Sequence, residues 1–276
     1  MAVLSDQVAI VTGGGHGIGH AISIALAAAG AHVVVAGRRV SALDQTVAEI
    51  RQAGGLAGKC VCDVAEREQV EAMVESTLLV HGKIDLLVNN AGRLRAFGPV
   101  WEADPDEWLL DVKTNLYGTF LCCRSVLPSM IERKSGKIIN MSGGGASGPL
   151  LYRSAYGASK AAIVQFSESL NKEAEPHGIK VYAMGPGLVF TELTRTHVED
   201  PYLSRLIPEF QELFSSGQHV PPTVAAELVV FLASPEGDRL AGRFISATSD
   251  YREIARRADE VIARDLYVNR RRTFES

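Results

Sequence analysis

Tyr156 and Lys160 lie four residues apart in the stretch Ala155-Tyr-Gly-Ala-Ser-Lys160. Residues i and i+4 of a helix share one face, one turn apart. This spacing would set the Lys160 ammonium beside the Tyr156 phenol. A neighbouring cation favours the phenolate and lowers a tyrosine pKa from about 10 towards working pH. A phenol tuned in this way can give a proton to a carbonyl oxygen or take one from an alcohol. Tyrosine and lysine at this spacing are common on ordinary helices, so the pair acquires meaning only from its surroundings.

Those surroundings begin near the amino end. Val8-Ala-Ile-Val11 reads as a buried strand. It runs into Thr12-Gly13, then Gly17-Ile-Gly19, then a helical stretch from Ala21 to Gly30. Strand, glycine turn and helix form the setting in which backbone approaches a pyrophosphate and a helix N-terminus presents N–H groups to its charge. Gly13, Gly15, His16, Gly17, Ile18 and Gly19 are the candidate contacts. A dinucleotide held there would carry the hydride that a tyrosine acid/base needs as its counterpart. The spacing, Thr-Gly-x-x-x-Gly-x-Gly, departs from the commoner G-x-G-x-x-G.

The elements that must position these groups follow one pattern. Apolar runs at Val8–Thr12, His32–Ala36, Ala57–Cys62, Ile84–Asn89, Lys137–Met141, Lys180–Met184 and Arg243–Ala247 read as strands. Helical stretches at Ser41–Ala53, Glu66–His81, Asp106–Glu132, Ala155–His177 and Thr223–Ala233 lie between them. Such alternation implies parallel strands joined by helical crossovers. The expected fold is α/β, a Rossmann-like doubly wound parallel sheet with helices on both faces. Ligands bind such sheets at the carboxyl ends of the strands. Gly13, Asn90, Gly143 and Gly185 fall at or just beyond those ends.

One catalytic domain is expected over residues 1–248, with an irregular insert at about 188–222. The insert carries Phe190, Tyr202, Leu206, Ile207, Phe210, Leu213 and Phe214, either as a small core of its own or as a cover for substrate. Residues 249–276 form an extension. Tyr251, Ile254, Ala258, Val261 and Ile262 fall at helical spacing and predict an amphipathic helix, which could dock on its own domain or on a neighbouring subunit. Arg270-Arg-Arg272 reads as a solvated terminus.

Composition narrows the partners. A hydrophobic content of 46% can fill a core, and a net charge of −4 leaves no nucleic-acid footprint. Cys60, Cys62, Cys122 and Cys123 come as close pairs without zinc or redox-motif spacing. Reduced packing thiols in a cytoplasmic protein, with no metal, are the expectation. Met1 leads almost directly into the first strand, leaving no room for a signal peptide, and no apolar stretch is long enough to span a bilayer.

Taken together, the motifs resemble those of the short-chain dehydrogenase/reductases, in their compact single-domain branch, over essentially the whole chain through Ala247. Thr12-Gly13, Gly17 and Gly19 look like the family's cofactor loop. Cys62-Asp63-Val64 follows a strand where the family sets an aspartate against adenine. Asn89-Asn90-Ala91-Gly92 matches its motif after the fourth strand, and Asn115 its helix asparagine. Tyr156 and Lys160 match the catalytic pair. Pro186-Gly187, with Val189 and Thr191, matches the nicotinamide-side loop. The resemblance implies an oxidoreductase interconverting a small-molecule ketone and a secondary alcohol, assembled as a homodimer or homotetramer, with no nucleic-acid or membrane partner. Lys160 would hold the cofactor ribose, and Asn115 a water linking Lys160 to solvent.

Two positions carry further expectations. Where NAD-selective relatives have an aspartate after the second strand, this chain has Gly37, followed by Arg38 and Arg39. A guanidinium can bind a 2′-phosphate, so NADP(H) is favoured and NAD(H) remains possible, with Arg38 then stacking on adenine or facing water. The family's catalytic serine position falls on Gly143, and Ser142 is one residue early. Adjacent strand side chains point to opposite faces, so Ser142 could serve only if Gly143, Gly144 and Gly145 re-aim it. Ser142 is taken as the candidate, with Ser147, a backbone N–H, water, or Tyr156 acting alone as alternatives. A regulatory dinucleotide-binding protein with little turnover, and an enzyme of elimination or epimerisation, are the rival readings. Arg93, Arg95 and Arg153 are placed either to bind an anionic substrate or to face solvent.

Overall fold

In the computed structural model, which describes residues 2–270, each of the seven apolar runs becomes a strand. These are β1 (Val8–Thr12), β2 (His32–Gly37), β3 (Leu56–Val61), β4 (Leu86–Asn89), β5 (Gly136–Met141), β6 (Ile179–Gly185) and β7 (Phe244–Ser246). They form one sheet in the order β3-β2-β1-β4-β5-β6-β7, and every pairing is parallel. The expected doubly wound sheet is therefore the one that forms. Strand β1 is buried along its whole length, as it must be between two helical layers. The last strand is one residue shorter at each end than its apolar run, with the Arg243 N–H turned back to the carbonyl of Leu240 at 3.1 Å.

On one face lie α1 (Gly17–Ala28), α2 (Val40–Gln52) and, later in the chain, the helix Pro222–Ala233. Ile22, Leu26, Leu43, Ile50, Leu228 and Leu232 pack there against Val11, Val33 and Val88. The other face is covered by α3 (Arg67–His81) and by two longer elements. The stretch expected as one helix over Asp106–Glu132 is instead α4 (Pro105–Val112), a π-helical turn at Lys113–Tyr117 and α5 (Gly118–Arg133). Gly118 marks the junction: a Cβ there would lie 2.8 Å from Val64, so the helix passes hard against the loop after β3. The catalytic-pair helix, α6 (Ser154–Ala174), lies beside α4 and the π turn. Asn89 donates to Asn140 (2.9 Å), and Asn140 to Ser167 of α6 (2.9 Å). That buried chain fixes α6 against β4 and β5 and so sets the height of Tyr156 and Lys160.

The insert folds into α7 (Glu192–Glu199), α8 (Pro201–Leu206) and α9 (Pro208–Ser215), followed by α10, the Pro222–Ala233 helix. Phe214 centres an aromatic cluster, with Phe210 at 5.1 Å and Phe190 at 5.4 Å. The single helix expected after residue 249 is two, α11 (Tyr251–Arg256) and α12 (Ala258–Ala263), broken at Arg257. Ile254 and Val261 join the core beneath α10, which docks the extension on its own chain. Arg270 is exposed, as expected of a solvated terminus, and it also pairs with Glu168 and Asp265. Arg271 and Arg272 lie outside the described residues.

Candidate active site

The site forms where β1 and β4 lie side by side while their chains continue to opposite halves of the sheet. The Thr12 hydroxyl accepts the backbone N–H groups of Asn90 and Ala91, both at 3.1 Å. Asn90 Nδ2 donates back to the carbonyls of Thr12 (3.0 Å) and Gly13 (3.3 Å). The glycine turn and the Asn90 loop are thereby locked together. A Cβ on Gly19 would sit 2.2 Å from the Gly13 oxygen and 2.5 Å from Asn90 Nδ2, so only glycine lets α1 start here. Gly13 has φ of +64°, a region that side chains rarely enter. The result is bare backbone along a cleft of about 440 Å³.

Gly13, Gly15, His16, Gly17, Ile18 and Gly19 all line that cleft, joined by Arg38, Arg39, Asp63 and Val64 from the ends of β2 and β3. Of the other candidates, Asn90, Ala91, Gly92, Ser142, Tyr156, Lys160, Pro186 and Thr191 line it as well. Gly187 and Val189 are not among the lining residues. Val189 is 3% exposed and bridges to Val220. Leu94, Thr114, Met141, Glu192 and Leu193 line the cleft although nothing in the sequence singled them out. Glu192 had a signal, as an acid one residue beyond Thr191. Arg39 forks onto its carboxylate at 3.0 and 2.6 Å, which ties the end of β2 to the start of α7. Arg38 Nη1 lies 3.5 Å from Asp63, and Gly37, the last residue of β2, offers no carboxylate. His16 sits below its ordinary pKa, through burial and then the charge of Arg39.

Tyr156 and Lys160 share one face of α6, with the ammonium 5.4 Å from the centre of the phenol ring. The expected lowering of the tyrosine pKa does not hold for the polypeptide by itself. Burial pushes Tyr156 up to about 12, with Arg153 opposing and Asp111 reinforcing the rise. Burial also brings Lys160 down to about 8. Lys160 Nζ donates to the Met141 carbonyl at 2.8 Å, which aims it past the end of β5. Asn115 is fully buried in the π turn. Its amide accepts the Arg93 N–H (2.7 Å) and donates to the Arg93 carbonyl (2.8 Å). A Cβ on Gly92 would lie 3.4 Å from Asn115 Oδ1 and 3.9 Å from Lys160 Nζ, so both side chains border Gly92.

The glycines after β5 do not re-aim Ser142. Its hydroxyl donates to the Lys160 carbonyl at 2.7 Å and is 1% exposed. Strand alternation holds instead: Ser142 faces α6, and Gly143 faces the phenol. A Cβ on Gly143 would stand 3.4 Å from Tyr156 Oη. Ser147 is exposed and does not line the cleft. Ser142→Ala should therefore cost about 0.5–1.5 kcal/mol of stability, the worth of one hydrogen bond, and leave turnover within about threefold. Gly143→Ser should cost about 1–3 kcal/mol, because φ at this position is +152°. Thermal unfolding and steady-state rates on both variants check this. A loss of turnover above tenfold in Ser142→Ala, at unchanged stability, would return the hydroxyl to the chemistry.

The arginines resolve differently from one another. Arg93 is not available to an anionic substrate: it is held by Asp111 and Glu107, at the buried base of the loop. Arg153 is 8% exposed, with its guanidinium 4.9 Å from the centre of the Phe210 ring. Arg95 is exposed and lines the cleft, and its N–H donates to Asp111 at 2.9 Å.

A parallel sheet with a glycine cradle at its switch point and a Tyr–Lys pair facing that cradle defines a dinucleotide-dependent oxidoreductase. The family model for short chain dehydrogenase matches residues 7–201, and the chain belongs to the short-chain dehydrogenase/reductase family. It is 36% identical over 235 residues to a 3-oxoacyl-[acyl-carrier-protein] reductase of Synechocystis, covering 85% of this chain and 92% of that one. A short chain dehydrogenase of Pseudocercospora fijiensis is 36% identical over 266 residues, covering 93% and 85%. Among solved structures, a variant of actinorhodin polyketide ketoreductase with NADPH has a TM-score of 0.80 at 32% identity, covering 89% of this chain and 97% of that one. The protein is an oxidoreductase acting on the CH–OH/C=O pair and binding a nicotinamide dinucleotide.

Proposed function

We propose that the protein is an NADP(H)-dependent reductase of ketones, with Tyr156 as its acid/base. The observation that carries this reading is a phenol, Tyr156, opening on the same cleft as the glycine cradle and two arginines where β2 ends. The bare backbone at Gly13 and Gly17 and the guanidinium of Arg38 fit a phosphorylated dinucleotide. Residues 13–19 would hold the pyrophosphate, Asp63 the adenine, Arg38 and Arg39 the 2′-phosphate, and Thr191 the nicotinamide end. The bound cofactor supplies the hydride. Tyr156 gives its proton to the carbonyl oxygen, and a phenol near pKa 12 is protonated throughout the working range, which suits reduction. Lys160 steadies the ribose side. Asn115, across Gly92 from Lys160, is suited to the relay that returns the proton from solvent. Holding donor and acceptor in contact contributes ~7–11 kcal/mol in favourable cases.

The same reading takes residues 1–248 as the catalytic domain and 249–276 as an extension. Unpaired thiols fit a reducing cytoplasm. Exposed Leu109, Leu110, Tyr117 and Phe120 along α4 to α5 support assembly as a homodimer or homotetramer.

The test has two arms. Cofactor oxidation is followed with a ketone panel that includes ethyl acetoacetate, acetoacetyl-CoA and cyclohexanone. Oxidation of NADPH with formation of the matching alcohol is expected, and its absence across the panel would favour a binding protein without turnover. Arg38→Ala should weaken NADPH by ~1.5–3 kcal/mol, the worth of a charge-assisted contact, and NADH far less. Titration with both cofactors reads this directly. Equal losses would mean that Arg38 only stacks on adenine.

A further inference from the structure

The chain's last described residues reach the loop that carries Gly143. Asn269 Nδ2 donates to the Ala146 carbonyl at 3.1 Å. Arg270 donates from Nη1 to Glu168 at 2.8 Å, and its Nη2 reaches the other oxygen of that carboxylate. Glu168 is 8% exposed and lies two turns beyond Lys160 on α6. Arg270 Nε also donates to Asp265 (2.6 Å), which accepts Arg243 as well (3.0 Å). The Tyr267 carbonyl accepts the Phe244 N–H at 2.8 Å, so this segment is hydrogen-bonded to β7 on the way. None of these contacts belongs to the cleft, and the reading of the cleft uses none of them.

The loop they meet is anchored at its two ends and glycine-rich between them. Gly143, Gly144 and Gly145 are consecutive, and three glycines carry the largest conformational freedom a chain can have. The Ala146 N–H closes a turn onto the Gly143 carbonyl (3.1 Å), Ser142 is tied to Met184 and Lys160, and Ala146 packs on Val164 and Ala183, while Gly144 and Gly145 between them carry no side chain. A Cβ on Gly145 would stand 2.6 Å from Gly157 Cα, so the loop lies flat on the start of α6. Asn269 pins its far end, at the 6% exposed Ala146. The loop is sandwiched between the catalytic helix and the tail. Gly143 brings backbone, not a hydroxyl, beside the phenol, where a Cβ on it would stand 3.4 Å from Tyr156 Oη, so the position of the loop bears on the surroundings of that oxygen.

We infer that Asn269 and Arg270 are positioning residues: the C-terminal tail braces the Ser142–Ala146 loop against α6 and holds the Gly143 backbone in register with Tyr156. The inference rests on Tyr156 being the acid/base. It accounts for the last described residues of the extension pairing with the catalytic helix, Arg270 onto the largely buried Glu168.

Asn269→Ala and Arg270→Gln test it in the full chain, with NADPH and ethyl acetoacetate. A misplacement of about 1 Å can cost ~10²-fold in rate, which sets an outer bound. The expected result is a fall in kcat of about 5- to 20-fold, with NADPH affinity within twofold and melting temperature nearly unchanged. The primary deuterium isotope effect from NADPH labelled at C4 should rise, because hydride transfer becomes more limiting. Amide exchange across Gly143–Ala146 should quicken, a readout that needs no substrate. Arg270→Lys, which keeps the charge and loses the fork, should fall between. Wild-type kcat and unchanged exchange would overturn the brace. So would a loss of kcat shared with cofactor affinity, since that would mark general loosening. An active Tyr156→Phe would instead remove the reading on which the brace rests, while leaving the exchange result to stand by itself.

Discussion

Replacing Tyr156 by phenylalanine should lower turnover by about 10²–10⁴-fold, the range that a positioned general acid contributes. Cofactor affinity should change less than threefold, and stability hardly at all. The reason lies in what the hydroxyl touches. Among the described residues none is hydrogen-bonded to Tyr156 Oη, so its removal strands no buried partner. The ring keeps its place on α6, and the cradle at Gly13–Gly19 is untouched. Single-turnover reduction, cofactor titration and thermal unfolding on one preparation separate these quantities. A variant that retains most of its rate would reject Tyr156 as the acid and leave backbone or solvent to supply the proton. A variant that loses rate and cofactor together would place the phenol in binding instead. The pH profile adds a sign. With Lys160 near 8 and Tyr156 near 12 in the polypeptide, cofactor affinity that depends on the Lys160 ammonium should fall as pH rises through about 8.

What the sequence made legible was what repeats or clusters. Strands of five or six apolar residues between helical periods gave the sheet, and glycines at fixed spacing gave the cradle. Strand alternation was sound enough to say that Ser142 and Gly143 face opposite ways, and the structure keeps that alternation where an appeal to glycine freedom would have broken it. The parts that stayed hidden depend on groups without identity in a sequence. Lys160 is aimed by the Met141 carbonyl, a backbone atom that any residue would present. The π turn at Lys113–Tyr117 interrupts a stretch whose side-chain pattern looks continuous. The balance at Tyr156 is set by desolvation, which spacing cannot report, and it reverses the shift expected from a neighbouring lysine. Arg270 looked like a charged end because its partner, Glu168, is 102 residues away. Asp111 was overlooked for the same reason. An acid beside Leu109, Leu110 and Val112 reads as an ordinary polar helix position until the loop that folds over it is known.

Asp111→Ala is expected to be the most destabilising of the changes considered, at about 3–5 kcal/mol, the range for removing one partner of a buried ion pair. The carboxylate is fully buried. It pairs with Arg93 and accepts the N–H groups of Arg95 (2.9 Å) and Ala96 (3.0 Å). Alanine would leave a partly buried guanidinium with Glu107 alone, and two backbone donors with nothing. Replacing both charges by apolar groups often restores a buried pair to neutrality. Here that repair should be incomplete, because Arg93→Met with Asp111→Leu still leaves the Arg95 and Ala96 N–H groups unpaired. Asp111→Asn should be milder than alanine, since one amide oxygen can still accept from the loop. Urea unfolding of the three proteins reads the order: alanine lowest, the apolar pair between, asparagine nearest the parent. Full recovery in the apolar pair would mean that the charges alone account for the loss. The loop from Gly92 to Ala96 borders the cleft through Arg93, Leu94 and Arg95, so the order of stability should be followed by turnover at temperatures where all the variants remain folded. A variant as stable as the parent yet slow would shift the weight to the electrostatic side, where loss of the Asp111 charge lowers the Tyr156 pKa and alters the pH profile instead of the fold.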